Sequence, residues 1–377
     1  MVKKLTGLAA LTLLLSACST TSNTVGNTVD PVLTQSPRDL AMFTAENKQC
    51  YDRSTQPYSF VVDAHNHFRP FGGHAIPMHE LDDYFRRLGV LFVNVYGIGQ
   101  TLPVDSSCDY YLDCPDTLVI PSIKNDFRNA SNYMEFPPDG LHLTLSMSFP
   151  NLAEPQWIKP QMQQLNQEYP DKFKWMGEVN LVKQALFKNG HKATPIEAIP
   201  QWADFMAKLR EDKMPVAIHS DLGNDKEGEN YKYLPLMDKV LELYPDNKIV
   251  WVHMGLSAEL KNADPVKHIA VMKERLDRHP NLMLDISWRV IYDNYFIKPE
   301  VRALYVDFFN EYSTRILPGT DFVASRKKDF LVYAQEVEVT SRINLYLDDN
   351  AFRNIALGEN YFRLMGLDQY RAPQICR

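Results

Sequence analysis

The segment VVDAHNHF, residues 61–68, places His65 and His67 one residue apart at the end of an apolar run. In an extended strand, residues two positions apart point to the same side, so both imidazoles would face the same way. Neutral imidazole binds zinc and similar divalent ions, and a site with an open coordination position lowers the pKa of bound water to about 7. The pair is half of a metal site, or two histidines that end a strand by chance. The spacing alone does not decide between these alternatives.

Further groups that bind metals stand in or at the end of later apolar runs. They are Glu178, His219, His253 and Asp321. Singly, each has an ordinary explanation as a solvated carboxylate, a hydrogen-bonded histidine or a helix cap. Because they arrive strand after strand in chain order, the set as a whole predicts a divalent-metal centre.

Short runs rich in Val, Ile and Leu alternate with amphipathic stretches and predict the elements that position these groups. The predicted strands are 59–65, 90–96, 141–148, 174–181, 215–220, 248–254, 282–287 and 315–321. Continuous apolar runs are typical of parallel strands covered on both faces. The alternation predicts an α/β fold, a distorted (β/α)8 barrel of the TIM type, whose active sites lie at the C-terminal ends of the strands. An open doubly wound sheet is the second choice, but no glycine-rich phosphate turn follows the first strand.

Local signals refine this outline. In ADPVKHIAVMKERLDRHP, Asp264 can cap a helix and Pro265 suits its first position. The buried face is predicted to contain Val266, Ile269, Met272 and Leu276. Between residues 97 and 140 the alternation breaks, which predicts an elaborated insertion near strands 2 and 3.

The N-terminus predicts export. Residues 1–18, MVKKLTGLAALTLLLSAC, have a basic start, an apolar stretch and small residues before Cys18, as in a secretory signal. The Leu-Ser-Ala-Cys ending resembles the lipobox of bacterial lipoproteins, which implies a lipid on Cys18 and a membrane-anchored protein that faces the periplasm. Because Ser19 follows instead of aspartate, the outer membrane is favoured over the inner one. Residues 19–57 are predicted to be a flexible tether and lead-in, and 58–377 the barrel domain.

Charge and cysteine content limit the partners and the compartment. The formal charge of −7 becomes −9 when the signal removes the two lysines Lys3 and Lys4, and an acidic chain without a basic run is a poor nucleic-acid binder. Besides Cys18, the chain has an even number of cysteines, as expected in an oxidising compartment. Three pairings are open, among them a loop closed by Cys108 with Cys114 and the domain ends joined by Cys50 with Cys376.

As a set, the motifs resemble the amidohydrolase superfamily. They are DAHNH on strand 1, AIHSD on strand 5, WVHMG on strand 6 and LPGTDF on strand 8. The late stretch NIALGENYFRLMGL resembles the terminal helix of the amidohydrolase-related branch, which includes aminocarboxymuconate-semialdehyde decarboxylase.

The resemblance implies roles for individual residues. His65, His67, His219 and Asp321 would be metal ligands, and Asp321 would also handle the proton of the attacking water. His253 would polarise the substrate or bind a second metal. A bridging carbamylated lysine from the fourth strand is not expected, and Glu178 in MGEV resembles the bridging glutamate of other members. One zinc ion is favoured, with two possible.

The implied function is metal-dependent hydrolysis of a small-molecule ester, lactone, amide or phosphoester. Arg69 and Arg289 follow strands 1 and 7 and are candidate contacts for a carboxylate or phosphate of the substrate. The alternative is non-oxidative, metal-dependent decarboxylation, and a second alternative is a non-catalytic binding lipoprotein at the cell surface. Substrate and oligomeric state are not encoded in these motifs.

Overall fold

The computed structural model describes residues 39–55 and 60–377. The predicted signal, Cys18 and residues 19–38 of the tether lie outside the described residues. Within the described ranges, no helix combines the length and the apolar character needed to cross a membrane.

Parallel strands form the centre of the fold. In chain order the strands are β1 (Val62–His67), β2 (Phe92–Tyr96), β3 (Gln100–Thr101), β4 (Ile120–Pro121), β5 (His142–Met147), β6 (Phe173–Val182), β7 (Val216–Ser220), β8 (Ile249–Trp251), β9 (Leu282–Asp285), β10 (Ile316–Leu317) and β11 (Phe322–Val323). The main sheet has the order β10-β9-β8-β7-β6-β5-β2-β1-β11, and all its paired strands are parallel.

The two outer strands of this order flank the end of the eighth predicted strand, 315–321: β10 lies within it, and β11 begins directly after it. β10 pairs with β9, and β11 pairs with β1 at the other end of the sheet. Between them, the Pro318 carbonyl accepts the Ala64 amide at 3.1 Å, and the Asp321 amide donates to the His65 carbonyl at 2.8 Å. The sheet therefore closes on itself, and the predicted distorted (β/α)8 barrel is confirmed.

Helices surround the strands. The α-helices of seven residues or more in the described ranges are α1 (Met78–Leu88), α2 (Lys124–Glu135), α3 (Ile158–Glu168), α4 (Ala203–Glu211), α5 (Leu234–Leu243), α6 (Pro265–Arg278), α7 (Pro299–Glu311), α8 (Phe330–Ser341), α9 (Asp349–Ile355) and α10 (Glu359–Met365). A short helical segment, Arg289–Ile291, continues as a π-turn over Tyr292–Phe296 after β9.

Helix α6 begins as predicted. The Asp264 carboxylate accepts the amides of Val266 and Lys267 at 2.9 and 3.1 Å. Ile269, Met272 and Leu276 are buried, but Val266 is 63% exposed, so its predicted burial was wrong. At 100° per residue, Val266 lies roughly a quarter of a turn away from the centre of the buried stripe.

The ends of the domain are tied together. Cys50 is bonded to Cys376, and Phe43 and Tyr51 are fully or almost fully buried against the barrel. The packed domain thus begins before residue 58, because the lead-in supplies aromatic side chains to the core. In the predicted insertion, β3 and β4 form an antiparallel pair, Cys108 is bonded to Cys114, and α2 follows.

Candidate metal centre

The six candidate ligands converge at the C-terminal ends of the barrel strands. They come from β1 (His65, His67), β6 (Glu178), β7 (His219), the turn after β8 (His253) and the segment between β10 and β11 (Asp321). The first five are buried, and the Asp321 side chain is 15% exposed. The barrel architecture brings them together because parallel strands all end at the same rim.

Three of the histidines have one ring nitrogen held by the protein. His65 Nδ1 lies 2.8 Å from an oxygen of Asp285, and His67 Nδ1 lies 2.9 Å from the carbonyl oxygen of Gly97. His253 Nδ1 lies 3.2 Å from the carbonyl oxygen of Ser287. A carbonyl or carboxylate oxygen accepts a proton from the ring, so Nδ1 donates and the lone pair is left on Nε2. This arrangement is the one in which metal-binding histidines are found.

The free Nε2 atoms and a carboxylate oxygen form a nearly equilateral triangle. His65 Nε2 and His67 Nε2 are 3.2 Å apart, and Asp321 Oδ1 lies 3.3 and 3.2 Å from them. Donor atoms about 2.0–2.1 Å from a tetrahedral zinc ion are about 3.3–3.4 Å from one another. The triangle therefore has the size of one face of such a site. Glu178 Oε2, 3.3 Å from His67 Nε2 and 4.0 Å from His65 Nε2, lies beside it.

His219 occupies a different position. Its Nδ1 contacts Glu178 Oε1, and its Nε2 lies 2.8 Å from Asp221 Oδ1. With Glu178 and His253 it forms a second group whose ligand atoms lie within 4.8 Å of one another. The predicted ligands thus form overlapping groups, because Glu178 also groups with His65 and His67, and His253 also groups with His65 and Asp321.

Buried histidines and carboxylates lie in direct contact at the centre, and these contacts shift the pKa values of the histidines. Burial lowers the pKa of His67, but hydrogen bonds to Asp321 and Glu178 outweigh it and raise the value to about 9. Burial and Lys183 act in the same direction on His219, yet Glu178 and Asp221 raise its pKa to about 9. Carboxylates that keep protons on buried imidazoles form a site that favours cations, and metal binding displaces such protons.

The backbone is unusual at the same place. His253, Trp288 and Asp321 have φ angles of 57°, 81° and 54°, in or near the left-handed region that non-glycine residues seldom adopt. Residues held in such conformations persist only where the surrounding structure fixes them, and they are concentrated at functional sites. Here they end consecutive barrel strands and direct their side chains into one cavity.

Sequence reasoning missed Asp285. It is the last residue of β9, fully buried, and its two oxygens contact His65 Nδ1 at 2.8 Å and the Ser287 amide at 2.6 Å. The charges of His65 and His253 outweigh burial and keep its pKa below the usual value. The signal was present in LMLDIS, because this predicted strand also has a carboxylate near its C-terminal end.

Replacing Asp285 with asparagine is expected to weaken metal binding about 10–100-fold, the usual cost of losing a partner that orients a metal-binding histidine. The amide keeps the shape but removes the charge that supports the proton on His65 Nδ1. The measurement is a competition titration of zinc against a chromogenic chelator. Asp83→Asn, on the exposed face of α1, is the control, and an unchanged zinc affinity in Asp285→Asn would contradict this role.

Sequence reasoning also missed Lys183, and a lysine, Lys174, does stand on the fourth strand. The expected absence of a bridging carbamylated lysine stays a prediction. Lys174 lies in β6 with an exposed side chain, whereas Lys183 follows the last residue of β6 and is buried. Its ammonium contacts both oxygens of Glu178, at 2.9 and 2.8 Å. It therefore belongs to the centre as a cation.

A cavity of about 370 Å³ opens above the centre. Its lining includes His219, His253 and Asp321 from the centre and Phe71, Tyr110, Leu112, Trp288 and Phe322 from the walls. Arg289 is among its lining residues and pairs with Asp293 at 3.0 Å. Arg69 is not among them, and its guanidinium bonds to Asn129 and Asn132 of α2. Substrate contacts by the two arginines stay predictions.

The insertion supplies one wall of this cavity. Tyr110 and Leu112 lie between the bonded cysteines Cys108 and Cys114 and pack in a cluster with Phe71. We expect Cys108→Ser/Cys114→Ser to raise KM several-fold with a smaller change in kcat, because the wall loosens while the centre is untouched. Steady-state kinetics measure this, with Cys50→Ser/Cys376→Ser as the control for general loss of a disulfide. Equal effects on kcat and KM in both double variants would argue against a specific wall.

Comparison with known proteins shows that the chain is similar to amidohydrolases. The amidohydrolase family model matches residues 182–355, which include His219, His253 and Asp321. An amidohydrolase from Burkholderia multivorans with bound zinc has a TM-score of 0.53 at 10% identity, over 82% of this chain and 99% of that one. A candidate 2-pyrone-4,6-dicarboxylic acid hydrolase from Pseudomonas putida has a TM-score of 0.51 at 13% identity, over 82% and 98%. No curated protein sequence matches the chain significantly.

At these identities the solved structures show a similarity of fold alone. The family match is a similarity of sequence over residues 182–355, which is less than half of the chain. With the grouped metal-binding side chains, these comparisons support a resemblance to metal-dependent hydrolases of the amidohydrolase superfamily. Its resemblance to the amidohydrolase-related branch stays a prediction.

Proposed function

We propose that this protein hydrolyses a small-molecule ester, lactone, amide or phosphoester with one zinc ion, held by His65, His67 and Asp321 with Glu178 beside them. The observation that carries the proposal is the triangle of donor atoms with sides of 3.2, 3.3 and 3.2 Å. Its edges match a tetrahedral ion with nitrogen and oxygen ligands. An ion held there would be open to the cavity on the side of Asp321, which is among the lining residues.

A divalent ion bound there supplies Lewis-acid polarisation of the substrate and lowers the pKa of a water molecule to about 7. Asp321 accepts the proton of the attacking water and returns it to the leaving group, because it is the member of the triangle that reaches solvent. Its Oδ2 is 3.6 Å from His253 Nε2. Burial lowers the pKa of His253 to about 4, so a neutral imidazole stands beside the reacting carbonyl or phosphoryl group.

The cavity supports a small substrate. Its volume of about 370 Å³ lies at the lower end of the range for small-molecule sites. Aromatic walls from Tyr110 and Trp288 would pack on an apolar part of the substrate, and Arg289 with Lys328 would face an anionic group. The ring or chain carrying the scissile bond would then lie between these walls, directly over Asp321.

We also infer that the protein is an exported lipoprotein, anchored to the outer membrane through Cys18 and facing the periplasm. Two disulfides, Cys50–Cys376 and Cys108–Cys114, support export to an oxidising compartment. Mass spectrometry of the protein released from membranes tests it: a diacylglyceryl group on an N-terminal Cys18 is expected. An unmodified Cys18 in the mature protein would contradict the anchor.

The reaction is tested with purified protein that lacks residues 1–18. Chelator-treated and zinc-reloaded samples are assayed on a panel of esters, lactones, amides, phosphoesters and carboxylated aromatics. We expect turnover in one hydrolytic class, lost on chelation and restored by zinc. Carbon dioxide release without hydrolysis would favour the decarboxylase instead. Equal behaviour with and without metal on every compound would favour the non-catalytic alternative.

A further inference from the structure

Lys183 holds a fixed position inside the centre. Its ammonium lies 2.9 and 2.8 Å from the two oxygens of Glu178, and its side chain is 10% exposed. The ring of Phe71 lies 5.4 Å from the same ammonium. A buried lysine that contacts both oxygens of a buried carboxylate places its charge with little freedom to move.

That charge lies where a second metal ion would need its ligands. The second group of candidate ligands consists of Glu178, His219 and His253. Glu178 already has both oxygens in contact with Lys183, and Oε1 also contacts His219 Nδ1. His219 Nε2 is 2.8 Å from Asp221, so neither ring nitrogen of His219 is free. A histidine that binds a metal needs one nitrogen for the ion.

The triangle formed by His65, His67 and Asp321 differs in this respect. His65 and His67 hold Nδ1 against Asp285 and Gly97, and their Nε2 atoms face one another and the carboxylates of Asp321 and Glu178. In the second group, Lys183 and Asp221 contact Glu178 and His219, which leaves His253 Nε2 as the ligand atom that neither of them contacts.

We propose that the Lys183 ammonium takes the place of a second divalent ion and restricts this centre to one metal. The inference rests on the proposed function for the existence of the first metal position. The number of ions bound then depends on a single side chain, that of Lys183, which directly follows the last residue of β6.

Charge balance agrees with this role. Four carboxylates contact the histidines of the centre: Glu178, Asp221, Asp285 and Asp321. Lys183 with one divalent ion offsets three of their four negative charges. Two divalent ions alone would offset all four, whereas two ions together with Lys183 would leave a buried positive excess. Burial penalises uncompensated charge of either sign, so the lysine and a second ion compete for the same carboxylates.

The test is metal stoichiometry. Wild-type protein and Lys183→Met are equilibrated with excess Zn²⁺, freed of loosely bound metal by gel filtration, and analysed by elemental mass spectrometry. We expect one zinc per wild-type chain and two per Lys183→Met chain. Lys183→Arg keeps the charge and Lys188→Met removes an exposed lysine from the same region, so both should bind one zinc.

Loading with Co²⁺ gives a second readout. One isolated high-spin ion is expected in the wild type and a spin-coupled pair in Lys183→Met by electron paramagnetic resonance. Circular dichroism establishes that each variant is folded, and Lys183→Gln replaces the methionine variant if that one is not. Two ions in the wild type, or one ion in the folded neutral variants, would overturn the proposal. No metal in the wild type would contradict the proposed function instead.

Discussion

Asp321→Asn is expected to lower kcat about 10²–10⁴-fold, the range that a positioned proton-transfer group contributes. Asparagine has nearly the same shape and retains a carbonyl oxygen for the donor triangle, but it cannot take a proton from water at neutral pH. We therefore expect the folded variant to retain most of its zinc while losing turnover. The measurement combines kinetics on the best hydrolytic substrate with the zinc content of the same sample.

The zinc content and a control variant distinguish the loss of proton transfer in Asp321→Asn from loss of zinc or of the fold. Asp321 Oδ1 is 3.2 Å from His67 Nε2, so loss of zinc would show that the residue acts mainly as a ligand. Asp83→Asn changes an exposed carboxylate of α1 and should leave kcat and zinc content unaltered. A kcat within a few-fold of wild type in Asp321→Asn would contradict its role in proton transfer.

His67→Ala is expected to remove stoichiometric zinc. Losing only an orienting partner of a metal-binding histidine weakens binding about 10–100-fold, so losing the imidazole itself should cost more than about 100-fold. His67 Nε2 lies within 3.3 Å of both Asp321 and Glu178, and it is one of the three donor atoms of the triangle. Zinc content after dialysis at micromolar free metal measures the effect, and turnover should fall with it.

Removal of a buried side chain can also destabilise the fold, so the control matters. His79 lies on α1 with an exposed side chain, and His79→Ala should retain one zinc and full turnover. His67→Gln keeps more of the volume and should lose zinc as well. Stoichiometric zinc in folded His67→Ala and His67→Gln would exclude His67 as a ligand.

The four histidines that the sequence indicates as ligands stand at the ends of apolar runs, whereas Glu178 lies within one. Because parallel strands end at the same rim of a barrel, the sequence alone places His65, His67, His219 and His253 together. The barrel was predictable for the same reason, since strand and helix periodicities alternate regularly along the chain. Even the capping of α6 by Asp264 followed from local chemistry.

Other features depended on contacts between distant parts of the chain. The separation of His219 from the triangle of donor atoms follows from the contacts of its ring with Glu178 and Asp221, which no local pattern encodes. Lys183 looked like an ordinary charged residue after a strand, because its pairing with Glu178 exists only when β6 is folded. The partners of Arg69 were hidden in the same way, because its guanidinium bonds to side-chain amides of α2 in the irregular insertion.

The split of the eighth strand was equally hidden. The segment Pro318–Asp321 separates β10 from β11, and its hydrogen bonds with β1 carry Asp321 to the side of His65. Gly319 has no space for a side chain there, since a Cβ would lie 2.8 Å from the Cβ atoms of His65 and Ser287. In LPGTDF, the backbone at Gly319 thus packs closely against His65 and Ser287, and this packing positions Asp321. The sequence shows only that a glycine stands two residues before the aspartate.

The central claim is that one metal ion lies between His65, His67 and Asp321. The most direct measurement is anomalous diffraction at the zinc absorption edge from crystals of the zinc-loaded wild-type protein. We predict a single peak about 2.0–2.2 Å from His65 Nε2, His67 Nε2 and Asp321 Oδ1, with Lys183 still paired to Glu178. A peak elsewhere in the barrel, or zinc-loaded crystals with no peak at this position, would contradict the account.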